Sequence, residues 1–113
     1  MCTDLVDKAE QRIATIVGNP RPDSRTHALA GTLADAIAAD GGGVVVPGAD
    51  LAVLGARAFD RANAEAVAAT ERILAADVLV VASPTFKATY SGLLKVFLDR
   101  VGTGALAGTR AVP

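Results

Sequence analysis

The sequence predicts an α/β fold, a doubly wound parallel sheet with helices on both faces, and three observations predict it. Residues 13–17, 44–46 and 78–82 are short, continuous aliphatic and β-branched runs without polar residues at alternate positions, as strands covered on both faces must be. Segments of helical spacing lie between them. The composition agrees: 51% of the 113 residues are apolar and only 4% aromatic, so Ala, Val, Leu and Ile must close the core. This length allows one small domain.

Residues 1–11 read as a polar extension carrying Asp4, Asp7, Lys8 and Glu10, without the basic start and apolar centre of a signal peptide. The domain is expected over residues 12–113. Its first strand, Ile13-Ala14-Thr15-Ile16-Val17, closes at Gly18. A helix follows over residues 26–39, with Leu29, Leu33, Ala36 and Ile37 on one stripe, and Gly41-Gly42-Gly43 ends it. Val44-Val45-Val46 is a short second strand stopped by Pro47, and residues 48–60 fit a loop or a short helix equally. An alanine-rich helix over residues 62–76 presents Ala66, Val67, Ala69, Ile73 and Leu74, and leads into the third strand, Val78-Leu79-Val80-Val81-Ala82. Tyr90, Leu93, Leu94, Phe97, Leu98 and Val101 then form a full helical stripe opposite Ser91, Lys95, Asp99 and Arg100. After a loop over residues 102–108, residues 109–113 read as a fourth strand beginning where the sequence stops.

Other classes are disfavoured. A formal net charge of -1, from 11 basic and 12 acidic residues, provides no field for nucleic acid or an anionic membrane. Cys2 and His27 are the single cysteine and histidine, which leaves neither a disulfide nor a Cys/His zinc site within one chain, and Cys2 has no evident role. No apolar run reaches membrane-spanning length. A reducing cytoplasm is the expected location.

Alternating strands and helices imply right-handed crossovers, and in the order 2-1-3-4-5 the first and third strands are neighbours with a ligand crevice beyond their carboxyl ends. Two loops open there. After the first strand comes Gly18-Asn19-Pro20-Arg21-Pro22-Asp23-Ser24-Arg25-Thr26, offering backbone amides, two hydroxyls and two guanidinium groups at a helix N-terminus, the parts of a monophosphate site. It matches neither a Walker A loop nor G-x-G-x-x-G. An ordinary serine-capped turn with solvated arginines fits the same residues. After the third strand comes Ser83-Pro84-Thr85-Phe86-Lys87-Ala88-Thr89-Tyr90-Ser91-Gly92, where Pro84 restrains the backbone and Phe86 offers a ring to a planar ligand such as isoalloxazine. Tyr90 continues the helical stripe and reads as core, with Thr89 as a cap. His27 reads as a surface or phosphate-adjacent side chain.

With these two stretches, the second extended to Leu93-Leu94-Lys95, the chain from about Arg12 to Pro113 resembles the NADPH-dependent FMN reductase family, in particular the reductases that supply reduced flavin to monooxygenases such as alkanesulfonate monooxygenase. The resemblance implies a flavodoxin-like fold truncated near the start of strand 4, with FMN and NADPH as cofactor and substrate. It implies that Asn19, Arg21, Ser24, Arg25 and Thr26 surround the FMN phosphate, while Pro84, Thr85, Phe86 and Lys87 line the ribityl chain and ring. It further implies homodimers or homotetramers packed through helices beside the flavin, and a flavin-dependent monooxygenase as a partner. Asn19 stands where many relatives carry Ser, and Phe86 where many carry Tyr, removing a hydroxyl contact. The family's later strands, a loop that completes the flavin site and its last helices have no counterpart in the sequence. Alternatives are a flavin-retaining quinone or azo reductase, an FMN electron carrier that does not oxidise NADPH, and an inactive truncated fragment.

Overall fold

In a computed structural model describing residues 11–113, the apolar runs become the centre of a parallel sheet. β1 (Arg12–Val17) pairs along its length with β4 (Val78–Ala82), from Ile13 opposite Val78 to Val17 opposite Ala82. On its other side β1 pairs first with β2 (Val44–Val45) and then with β3 (Ala49–Asp50), while β5 (Arg110–Val112) pairs with the first three residues of β4. The order is β2-β1-β4-β5, with β3 beside β1, every pairing parallel. This matches the first four positions of the expected 2-1-3-4-5 order; β3 is a further short strand within residues 48–60, the segment read from sequence as a loop or short helix. Residues 1–10, with Cys2 and most of the polar extension, lie outside the described residues.

The helices take both faces. α1 (Arg25–Gly41) packs on one through Ala30 and Ala34, against Ile13, Val17, Val78 and Val80. α2 (Leu51–Leu54), a 3-10 turn (Gly55–Phe59), α3 (Ala64–Leu74) and α4 (Gly92–Leu98) cover the other, where Ala14, Ile16, Leu51, Ala66, Ala69, Ile73, Leu79, Leu94 and Phe97 form the larger core. Alanines at the helix–sheet contacts bring the layers close, which is how a chain with so few aromatics closes its interior.

Four local expectations are corrected. The buried stripe of α1 is one position away from the predicted one: Leu29 is 68% exposed, and Leu33 and Ala36 are exposed too. Alanine occupies the tight contact and leucine turns to the flank. On α3 the predicted Ala66, Ala69 and Ile73 are buried, but Leu74 is exposed. α4 starts only at Gly92 with Ser91 as its N-cap, which leaves Tyr90 exposed outside the helix rather than in the core. Ser91, predicted on the solvent side of that helix, is buried.

Arg100, also predicted on a solvent face, ties α4 to distant backbone. Its Nη1 donates to the carbonyls of Ala58 (3.0 Å) and Asp60 (2.8 Å), and its Nε to Thr70 Oγ1 (3.3 Å). These carbonyls lie at the end of the 3-10 turn, where that of Asp60 also accepts the Asn63 amide (3.2 Å). Replacing Arg100 with Ala is expected to destabilise the chain by about 1.5–2 kcal/mol, read as a lower urea midpoint at unchanged slope. Among the described residues no helix is long and apolar enough to cross a membrane, and no group of three or more His, Cys, Asp or Glu is placed to hold a metal.

Candidate functional site

The chain leaves β1 toward β2 on one side of the sheet and later returns to β4 on the other, so the carboxyl ends of these neighbouring strands open a crevice between their loops. Gly18 sits at its floor. Its amide donates to the carbonyl of Ala82 (2.7 Å), carrying the β1–β4 pairing one step past the strand. Its carbonyl accepts the Ser91 hydroxyl (2.6 Å).

The first loop is stitched internally. Asn19 Oδ1 accepts the Arg21 amide (2.9 Å), and its Nδ2 donates to Thr26 Oγ1 (3.2 Å), closing residues 19–26 into a compact turn. Ser24 is the N-cap of α1: its Oγ accepts the His27 amide (3.1 Å) and its carbonyl accepts that of Ala28 (3.0 Å). The hydroxyl hydrogen of Ser24 remains able to donate. The amides of Arg25 and Thr26 precede any intrahelical acceptor, and the first turn of this 17-residue helix carries no acidic residue to offset the positive end of its dipole. Arg21 and Arg25 are exposed, and their guanidinium groups make no hydrogen bond among the described residues. His27 stands 3.9 Å from Asp50, whose other oxygen caps α2 through the Ala52 amide.

The second loop is joined at its base, where Ser83 Oγ accepts the Ser91 amide (2.8 Å) and donates to the Pro84 carbonyl (3.0 Å). Beyond Pro84 and Thr85, Phe86 and Thr89 exchange both backbone hydrogen bonds (2.9 and 3.0 Å) around a two-residue turn. Both turn residues, Lys87 (φ 52°) and Ala88 (φ 62°), adopt the left-handed conformation that glycine or asparagine usually takes. The turn leaves Phe86 47% exposed on the loop that follows β4. Ala88→Gly is expected to raise stability by about 0.5–1 kcal/mol, seen as a higher urea midpoint, because relief of the Cβ clash exceeds glycine's added chain entropy. Lys95, in the same stretch of sequence, faces solvent on α4, where hydrogen bonding and attraction to Asp99 raise its pKa above 10.5.

A groove of about 360 Å³ runs from the crevice along α1 and brings the loops together: Arg25 and Thr26 of the first and Ser83 of the second line it, with Ala82 at its floor and Leu29 and Leu33 along one wall. Of the residues singled out from the sequence, Asn19, Ser24 and Thr26 thus knit the first loop and Arg21 and Arg25 present charge. Pro84, Thr85, Phe86 and Lys87 lead into and form the adjoining turn. Ser91 and Gly18 were missed, since neither carries a local signal of its partner.

The family profile described as NADPH-dependent FMN reductase matches residues 11–113. The chain belongs to this family. Within it, the sequence is 32% identical over 106 residues to the NADH-dependent FMN reductase SfnF of Pseudomonas putida, covering 89% of this chain and 57% of the relative. A shorter stretch of 44 residues is 48% identical to the FMN reductase (NADPH) of Escherichia coli K12, covering 39% of this chain and 23% of that one. Among solved structures, an NADH:FMN oxidoreductase (EmoB, apo form) superposes with a TM-score of 0.83 at 35% identity, over 91% of this chain and 56% of that one. An oxidoreductase from Corynebacterium diphtheriae gives 0.79 at 28% identity, over 91% and 62%. The chain therefore spans little more than half the length of SfnF and EmoB.

Proposed function

We propose that this chain contributes the phosphate-gripping and flavin-edge loops of an NAD(P)H-dependent FMN reductase. The observation that carries the reading is the juxtaposition at the β1 and β4 ends: two guanidinium groups unengaged among the described residues and a helix N-terminus with no acidic residue in its first turn on one loop, and an exposed ring on the left-handed turn of the other. That donor set fits a phosphomonoester joined to a planar ring. Arg21 and Arg25 hold the dianion, the amides of Arg25 and Thr26 and the Ser24 hydroxyl donate to it, and Asn19 keeps the turn closed. Pro84, Thr85 and Lys87 border the ribityl chain and ring, and Phe86 packs against the ring and excludes water from that edge. When bound, FMN supplies the acceptor for a hydride from the nicotinamide, and the protein supplies position and electrostatics.

The same reading assigns a homodimer or homotetramer and a flavin-dependent monooxygenase as the consumer of reduced flavin, on the resemblance to the family. The deciding experiment titrates FMN and riboflavin into the purified chain while flavin fluorescence is followed. Tighter binding of FMN than riboflavin supports the phosphate assignment, and equal affinities would sink it. NADPH and NADH oxidation with free FMN as a saturable substrate then separates a reductase from a flavin-retaining quinone reductase or an electron carrier.

A further inference from the structure

Among the described residues Ser91 is the one buried polar side chain, 1% exposed, and the ligand contacts proposed above leave it unused. Its hydroxyl has a fully assigned pair of bonds: it accepts the Leu94 amide (3.1 Å) and donates to the Gly18 carbonyl (2.6 Å), 73 residues away in sequence. Its own amide donates to Ser83 Oγ, which donates in turn to the Pro84 carbonyl. A continuous chain of hydrogen bonds thus runs from the flavin-edge loop through Ser83 and Ser91 to the start of the phosphate-side loop. Capping α4 requires only an acceptor at position 91, which Asp or Asn would supply as well. Donation to Gly18 requires in addition a donor hydrogen at the same position, which a carboxylate lacks and the Ser91 hydroxyl supplies from the capping atom itself. The fit from the other side is equally close, since a Cβ on Gly18 would stand 3.0 Å from both Ser91 Oγ and Leu94 Cβ.

We propose that Ser91 is a positioning residue that fixes the phosphate-side loop against the flavin-edge loop, so that a ligand's phosphate and ring are gripped at a set separation. The proposal rests on the FMN reading above. Residues 19–23 form no strand pairing, and their hold on the body of the fold is Gly18 at one end and the Asn19–Thr26 bond across the turn. Releasing the Gly18 carbonyl frees the end on which the loop pivots. A phosphate contact tolerates only a small displacement before its hydrogen bonds lengthen.

The test compares the wild-type chain with Ser91→Ala and Gly18→Ala, the second of which disturbs the latch without removing the helix cap. Amide hydrogen exchange at residues 19–23, read at the hydrogen-bonded Arg21 amide because Pro20 and Pro22 carry no N–H, is expected to rise about tenfold in both variants while residues 13–17 and 78–82 keep their protection. FMN affinity is expected to fall about tenfold and riboflavin affinity to stay within about twofold, a change in discrimination that general loosening would not produce. Unchanged exchange at residues 19–23, or equal loss of both flavins, overturns the proposal. If Ser91→Ala loses protection throughout the sheet, Gly18→Ala and the near-isosteric Ser91→Cys decide by the same criteria. If the wild-type chain binds neither flavin, the FMN reading fails, and exchange at residues 19–23 still decides whether Ser91 holds the loop.

Discussion

Replacing Arg21 and Arg25 together by alanine is expected to weaken FMN binding about a hundredfold and to leave riboflavin binding within about twofold. Each guanidinium is exposed, so the charge-assisted bonds to phosphate proposed for it are expected at the low end of their range, about 1.4 kcal/mol or tenfold apiece. Folding should be indifferent, because neither group is engaged with described protein atoms. The Arg21 amide keeps its bond to Asn19 in the variant, so the turn persists. Lysine at both positions restores charge without the planar fork and should recover only part of the loss. Fluorescence titrations at low and high salt provide a second readout: wild-type affinity for FMN falls with ionic strength, and the double-alanine variant responds much less. A parallel drop for FMN and riboflavin would show that the arginines support the loop rather than the phosphate.

That the site could be proposed from sequence at all reflects which signals are local. Strands β1 and β4 are legible because burial on both faces removes all alternation from IATIV and VLVVA. The loops that follow are legible because the polar and conformationally special residues cluster there. The α1 stripe was misplaced for an equally physical reason: leucines and alanines both recur at i, i+4, and which set faces the sheet depends on how closely the sheet can be approached. Ser91 and Arg100 look like solvent-face residues in a helical projection. Their partners lie 73 residues away at Gly18 and 40 or more at Ala58 and Asp60, beyond the reach of any window. The left-handed turn at Lys87 and Ala88 was hidden because neither residue advertises that conformation.

The close passage of Gly48 over β1, just before the short strand β3, leads to a contrast between two chemically identical substitutions. Gly48→Ala is expected to destabilise by about 3 kcal/mol or more, and Gly31→Ala to stabilise by about 0.5–1 kcal/mol. A Cβ on Gly48 would stand 2.1 Å from the Thr15 carbonyl oxygen and 2.7 Å from the Thr15 nitrogen, so β1's central backbone is the obstacle and no rotamer can relieve it. Relief requires the chain to move outward between β2 and β3. That movement pulls Ala49 and Asp50 from register with Ile16 and Val17, and strains the two bonds from Arg72 to the Gly48 carbonyl (3.1 and 3.0 Å). It also shifts Asp50, which faces His27 beside the phosphate-side loop, so FMN affinity should fall along with stability. Gly31 lies in the interior of α1 with nothing within 4 Å of an added Cβ, and alanine there only lowers the entropy of the unfolded chain and raises helix propensity. Urea denaturation of both variants measures the difference directly. Equal midpoints would mean that the chain entering β3 does not press against β1 at Thr15.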